Sequence, residues 1–188
     1  MSTRDRLVET TRELLWERGY VGTSPRAIQQ RSGAGQGSMY HHFAGKGELA
    51  RAAIERGAAE LRAAAEAQLS GAGTASERIT GYLRRERDVL RGCPMGRLTQ
   101  DPEVVASAEL GAPVRETFAW LRERLAALIA EGVAGGEFAA GLDPDATAAA
   151  VVATVQGGYV LARAAGDPAP FGQAIDGILG LLERKDAR

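Results

Sequence analysis

The stretch Gly33-Ala34-Gly35-Gln36-Gly37-Ser38-Met39-Tyr40-His41-His42-Phe43 decides how this chain is read. Before it, Thr23-Ser24-Pro25 is a helix start. Ser24 can accept from the free N–H groups of a first turn, and Pro25 loses nothing there by lacking an N–H. That short helix ends at Ser32-Gly33, and a second one of similar length spans residues 36–43. Two such helices joined by a tight glycine turn form a helix-turn-helix. Ile28, Met39 and Phe43 are the apolar side chains that pack it, while Gln36, Ser38, Tyr40 and His42 project at helical spacings from the other faces.

Helical periodicity extends outward in both directions. Upstream, residues 3–18 place Leu7, Thr11, Leu14 and Leu15 on one face, and Gly19 is expected to stop that helix in left-handed geometry. Downstream, a longer helix runs over residues 46–69. The next is expected from Ser76 to about residue 91, through Ile79, Tyr82, Leu83, Val89 and Leu90. Short pieces follow at residues 97–100 and 102–109. Val114, Phe118, Leu121, Leu125 and Leu128 alternate spacings of four and three across residues 113–134. Asp143-Pro144 and Asp167-Pro168 each read as an acidic N-cap with proline at the first position, opening helices over residues 144–165 and 168–184. Alanine is abundant and β-branched runs are absent, so strands have little support. The expectation is an all-α chain of about nine helices. It divides into a helix-turn-helix domain at residues 1–47 and a larger helical domain at residues 48–188.

Charge is distributed unevenly. The whole chain of 188 residues carries a formal net charge of −1, which argues against coating nucleic acid by bulk charge. Between residues 19 and 47, however, there is no Asp or Glu, while Arg26, Arg31 and Lys46 are present beside His41 and His42. A short acid-free window on a compensating acidic body suits a small DNA-contacting module. The four arginines Arg84, Arg85, Arg87 and Arg91 read as a solvated face.

Other chemistries find little footing. The single cysteine, Cys93, cannot close a disulfide within the chain and reads as a buried thiol rather than a redox sensor. Adjacent helical histidines point ~100° apart, so His41 and His42 cannot share a metal ion. No nucleophile–base set is available once both are committed to the motif, so neither an enzyme nor a cofactor is expected. No window approaches ~18 apolar residues, so no membrane span is expected. The polar start of the chain lacks the apolar run of a signal peptide, and a cytoplasmic protein is expected.

The segment of residues 33–43, together with Gly19-Tyr20, Thr23-Ser24, Ala27-Ile28, Lys46 and Leu49, resembles the recognition region of the TetR/AcrR family of bacterial helix-turn-helix regulators. The resemblance implies a palindromic double-stranded operator as partner, with contacts from Thr23, Ser24, Gln36, Gly37, Ser38, Tyr40, His41, His42 and Lys46. Gln36, near the N-terminus of the recognition helix, suits base edges. Ser38, Tyr40, His41 and Lys46 suit phosphate. Arg26 either joins them or is simply an exposed side chain. Gly35 stands where the family commonly has a Ser or Thr cap.

The same resemblance implies a homodimer built from the last two helices. Thr154, Gly158, Leu161, Ala165, Ile175, Ile178 and Leu182 are its expected interface. It also implies a small hydrophobic effector among the central helices, with Tyr82, Glu86, Met95, Phe118, Leu121, Gln156 and Tyr159 as candidate wall residues or core. Glu86 falls on the stripe of Ile79, Leu83 and Leu90, so it either faces inward and needs a partner or points outward. Function is expected to be repression relieved by that effector. An all-helical interaction adaptor that keeps the helix-turn-helix is the alternative.

Overall fold

The computed structural model describes residues 1–183, and the expected end of the last helix at Arg184 lies outside them. Among the described residues there are ten helices and no strand. They are α1 (Thr3–Arg18), α2 (Pro25–Ser32), α3 (Gln36–His42), α4 (Lys46–Leu69), α5 (Ala75–Arg84), α6 (Pro94–Leu98), α7 (Pro102–Ala106), α8 (Ala108–Ala134), α9 (Pro144–Ala165) and α10 (Ala169–Leu182). The chain forms two compact units, Met1–Leu61 with Cys93–Thr117, and Arg62–Gly92 with the part from Phe118 onward.

In the first unit α1 packs on α2, α3 and α6. Leu7, Leu14, Ile28, Met39, Leu49 and Ile54 are all but fully buried, each contributing about 1.5–3 kcal/mol relative to an exposed position. The helix ends follow local chemistry. Ser2 and Ser24 cap α1 and α2 by accepting from Asp5 N and Ala27 N, and Gly33 closes α2 in the left-handed region at φ 66°, ψ 15°. Gly19 has positive φ (73°) as expected, but its ψ of −178° is extended, not left-handed helical. That region is open essentially only to glycine. A β-carbon there would also lie 2.8 Å from the Asp101 carboxylate.

In the second unit α10 packs along α9 and touches α5. Gly158 of α9 admits the Phe171 ring, which a β-carbon would approach to 2.9 Å. Thr74, not Ser76, caps α5, through a reciprocal capping box with Glu77. The Glu137 carboxylate adds bonds from Ser76 N (2.8 Å) and Ala75 N (3.3 Å). These backbone bonds, Ser76 first, hold its carboxyl below the ordinary value. Asp143 caps α9 as expected. At α10 the cap moves: Pro168 is the N-cap and Asp167 accepts from Ala169 N at 2.8 Å.

Two helices depart from the sequence pattern. The fifth stops at Arg84, because Arg85 turns extended at φ −55°, ψ 149°. The eighth starts before Pro113 rather than at it, and Thr117 Oγ1 donates to the Pro113 carbonyl at 2.7 Å. By length and composition alone α9 is apolar enough to cross a membrane, contrary to the expectation that no segment is. Val151, Val155 and Tyr159 of this helix are buried, and its outward side too is lined mostly by small and apolar residues.

Candidate nucleic-acid interface

The recognition helix is held from beneath. Met39 and Phe43 are buried in the first unit, so α3 presents its remaining faces outward. Gln36, Gly37, Tyr40 and His41 are exposed, and Ser38 and His42 are half-buried. Tyr40 is 48% exposed, far more than a core tyrosine. The His41 and His42 rings meet edge to face, with centroids 5.0 Å apart. Among the described residues no group of three or more His, Cys, Asp or Glu could hold a metal ion. Gly35 caps α3 without a side-chain bond, as its lack of a hydroxyl dictates.

The flanking cations are unequal. Lys46, at the first position of α4, has its Nζ 3.8 Å from the centroid of the Tyr20 ring. This cation–π contact positions the ammonium at an N-terminal dipole, where anions are also favoured. Burial raises the Tyr20 hydroxyl above its ordinary value, and Glu103 and Asp101 push the same way. Arg26 is exposed on the first turn of α2. Arg31 is ion-paired with Glu17 at 2.6 Å, so much of its charge is cancelled locally. Arg4, which no sequence pattern singled out, lies over the Phe43 ring at 5.2 Å and brings an N-terminal cation beside the end of α3.

Thr23 corrects the contact list. It is 1% exposed, and its hydroxyl donates to the Gly19 carbonyl at 2.6 Å. The side chain therefore ties the turn between α1 and α2 and offers DNA nothing. Ser24 is exposed and already accepts from Ala27 N, leaving its hydroxyl hydrogen to donate.

The turn is also anchored by Asp101, which sequence reasoning did not single out. Its Oδ2 accepts from Tyr20 N (2.7 Å) and Val21 N (3.0 Å), and its Oδ1 from Glu103 N (3.2 Å) and Val104 N (3.3 Å). One buried carboxylate thus joins the turn that carries Tyr20 to the start of α7. Only the pattern Asp101-Pro102, an acidic cap before proline, is visible in sequence, and it announces the helix but not the distant partner.

Of the candidate effector residues, Tyr82, Leu121 and Tyr159 are buried in the second unit, and Phe118 and Gln156 are half-buried. Tyr82 and Tyr159 come together through a shared neighbour: Tyr159 meets Phe171 at 4.9 Å between centroids, and Arg87 lies over both Tyr82 and Phe171. Met95 is buried in the first unit. Glu86 is exposed, because α5 ends before it and the helical phase that aimed it inward is lost. Arg85 and Arg87 are drawn in instead, correcting the solvated face expected for that arginine run. Cys93 is half-buried and caps α6, its Sγ accepting from Gly96 N at 3.3 Å.

The expected dimer residues divide. Gly158, Ile175, Ile178 and Leu182 are buried within their own chain, so their small or apolar side chains serve the α9–α10 contact. Thr154 is half-buried, and Leu161 and Ala165 are exposed. The outward face of these helices instead carries Val160, Leu161 and Leu181, each more than half exposed, beside Gly157, Gly177 and Gly180.

Two family models match the chain: bacterial regulatory proteins of the tetR family over residues 7–53, and the tetracyclin repressor-like C-terminal domain over residues 75–178. An uncharacterized HTH-type transcriptional regulator of Mycobacterium tuberculosis is 28% identical over 174 residues, covering 89% of this chain and 88% of its own length. A TetR transcriptional regulator from Chloroflexus aurantiacus has the same fold, with a TM-score of 0.85 at 27% identity over 97% of this chain and 95% of that one. The TetR family regulator CifR, solved with a 26 bp double-strand operator, aligns with a TM-score of 0.79 at 21% identity, covering 95% of each chain.

Proposed function

Because this chain belongs to the tetR family of bacterial regulatory proteins, a family of DNA-binding transcriptional regulators, we propose that it is a cytoplasmic repressor that grips a palindromic operator as a homodimer and lets go when a small molecule binds. The observation that carries this is the presentation of α3. Gln36, Tyr40 and His41 stand exposed on a helix locked by Met39 and Phe43, in a segment without an acidic residue. Gln36 reads base edges, and Ser24, Ser38, Tyr40, His41 and Lys46 hold phosphates, with His42 beside them and Gly37 letting the helix backbone approach. Arg26 and Arg4 add charge at the edges. CifR, a similar fold, engages its operator as a complex with double-stranded DNA, in keeping with this role.

Dimerisation is assigned to the outward face of α9 and α10. Three large apolar side chains more than half exposed, set among glycines, are an unusual surface for a monomer and a natural one for close helix approach. A two-fold dimer places two recognition helices on half-sites about 34–36 Å apart. Tyr82, Phe118, Leu121, Gln156 and Tyr159 are the proposed effector contacts in the second unit. Nothing in this scheme requires a catalytic step.

The test is selection from a random duplex library by the purified protein, followed by sequencing. An inverted repeat is expected. A pool without sequence preference would overturn the assignment.

A further inference from the structure

Arg85 and Arg87 present a problem of charge. The Arg87 guanidinium lies 5.4 Å from the Tyr82 ring centroid and 5.6 Å from that of Phe171, and Arg85 lies 5.0 Å from the same Tyr82 ring. Two cations therefore lie against one aromatic ring. Arg87 also closes the helix end beside it. Its Nη1 donates to the carbonyls of Leu83 (2.6 Å) and Arg85 (3.0 Å), and its Nη2 to that of Tyr82 (2.6 Å). It thereby satisfies carbonyls that the end of α5 leaves open. Main-chain carbonyls do not neutralise a cation, however. Arg87 Nε and Arg85 Nη1 are buried with no hydrogen-bond partner. Among the described residues neither arginine has an ion pair, and the adjacent acids Glu86 and Asp88 are exposed. Burial lowers the Arg87 guanidinium below its ordinary value; Tyr159 and Tyr82 oppose that shift, and the charge of Arg85 adds to it.

Buried charges in proteins are ordinarily paired, because removing one from water unpaired is costly. Here the missing partner is an anion. Both arginines are half-buried, not sealed, so an anion can reach them. Beside them, the Tyr159 and Phe171 rings are buried and tilted 41° to one another, an apolar wall that keeps water from one side of the cations. We propose that the small molecule sensed by this protein is an organic acid whose carboxylate is bound by Arg85 and Arg87 beside the Tyr82 ring. This rests on the effector role given to the second unit above and narrows its ligand to one that carries an acid group.

The experiment is calorimetric titration of the full-length protein, without DNA, with benzoate, 2-naphthoate and hexanoate, each beside its neutral primary amide. Hydrogen bonds to a charged group make at least one acid bind about ten- to a hundredfold tighter than its amide. Arg85→Gln should abolish that preference. Among the described residues Arg85 donates no hydrogen bond, so a merely structural loss would not change the acid-to-amide ratio. Arg87→Gln should abolish it too, with loosening of the end of α5 as a side effect. The proposal is overturned if no acid exceeds its amide in the wild type, or if the preference survives both substitutions. Equal binding of acids and amides removes the anion while leaving an effector site in place. The readout is independent of operator release, so failure of the switch and failure of the anion site are separable.

Discussion

Asp101→Ala removes the carboxylate on which four backbone N–H groups converge. The bonds from Tyr20 and Val21, at 2.7 and 3.0 Å, are short and charge-assisted, worth about 1.5–3 kcal/mol each. The longer bonds from Glu103 and Val104 act as a helix cap, worth about 1 kcal/mol together. The four share one acceptor group and do not add fully, so a loss of about 3–5 kcal/mol is expected. At about 2–4 °C per kcal/mol for a chain of this size, the thermal midpoint should fall by about 10 °C. Asp101→Asn separates the two roles. Its amide oxygen can still cap α7, but its NH2 cannot accept from Tyr20 and Val21, so stability should lie between wild type and alanine. Operator affinity should follow the same order, since the Tyr20 turn carries the ring on which Lys46 rests. Thermal unfolding by circular dichroism and fluorescence anisotropy with labelled operator measure the two effects. An alanine variant within about 0.5 kcal/mol of wild type, as for an ordinary surface change, would refute the reasoning.

Other outcomes follow from the same geometry. Lys46→Ala should weaken binding to every duplex and reduce the slope of log K against log salt by about 0.9, whereas Gln36→Ala should cost about 1–3 kcal/mol at one base position, both read by anisotropy across salt and sequence. Leu161→Glu should yield a folded monomer by sedimentation velocity, while Gly158→Glu, meeting Phe171 at 2.9 Å, should lose stability within the chain; a dimeric Leu161→Glu variant would exclude that face. Asp5 is held at about 2 by the Ser2 hydroxyl and Arg56, below its unfolded value of 3.8. Its contribution is therefore complete above about pH 4 and lost as pH falls through about 2. A carboxyl-carbon NMR titration of Asp5 with a midpoint near 3.8 would contradict this.

Much of the fold was legible because its punctuation is local. Ser24-Pro25, Gly33 and Asp143-Pro144 act within a turn of where they stand, and each sits where its chemistry placed it. The apolar underside of α3 was legible for the same reason. What escaped depends on distance or on phase. Asp101 meets Tyr20 across most of the first unit's chain, and periodicity carries no information about such a partner. Glu86 takes the outward of its two expected positions, but extending α5 beyond Arg84 hid the reason: once the backbone turns extended at Arg85 the helical phase is lost, and an arginine takes the interior. Of the expected dimer residues, Leu161 and Ala165 lie on the outward face, whereas Gly158, Ile175, Ile178 and Leu182 fall one step around α9 and α10 from it. Gly157 and Gly158 differ by about 100° on a helix, and composition cannot say which of two adjacent glycines meets Phe171.

The most direct test of regulation through α3 is the affinity of the purified protein for its selected duplex against the same duplex with one half-site scrambled, measured by anisotropy over a salt series. A two-fold protein reading two half-sites should bind the intact palindrome at least about a thousandfold more tightly than unrelated DNA, with the scrambled duplex between them and all affinities falling linearly in log salt. Equal affinity for intact, scrambled and unrelated duplexes at every salt concentration would contradict it.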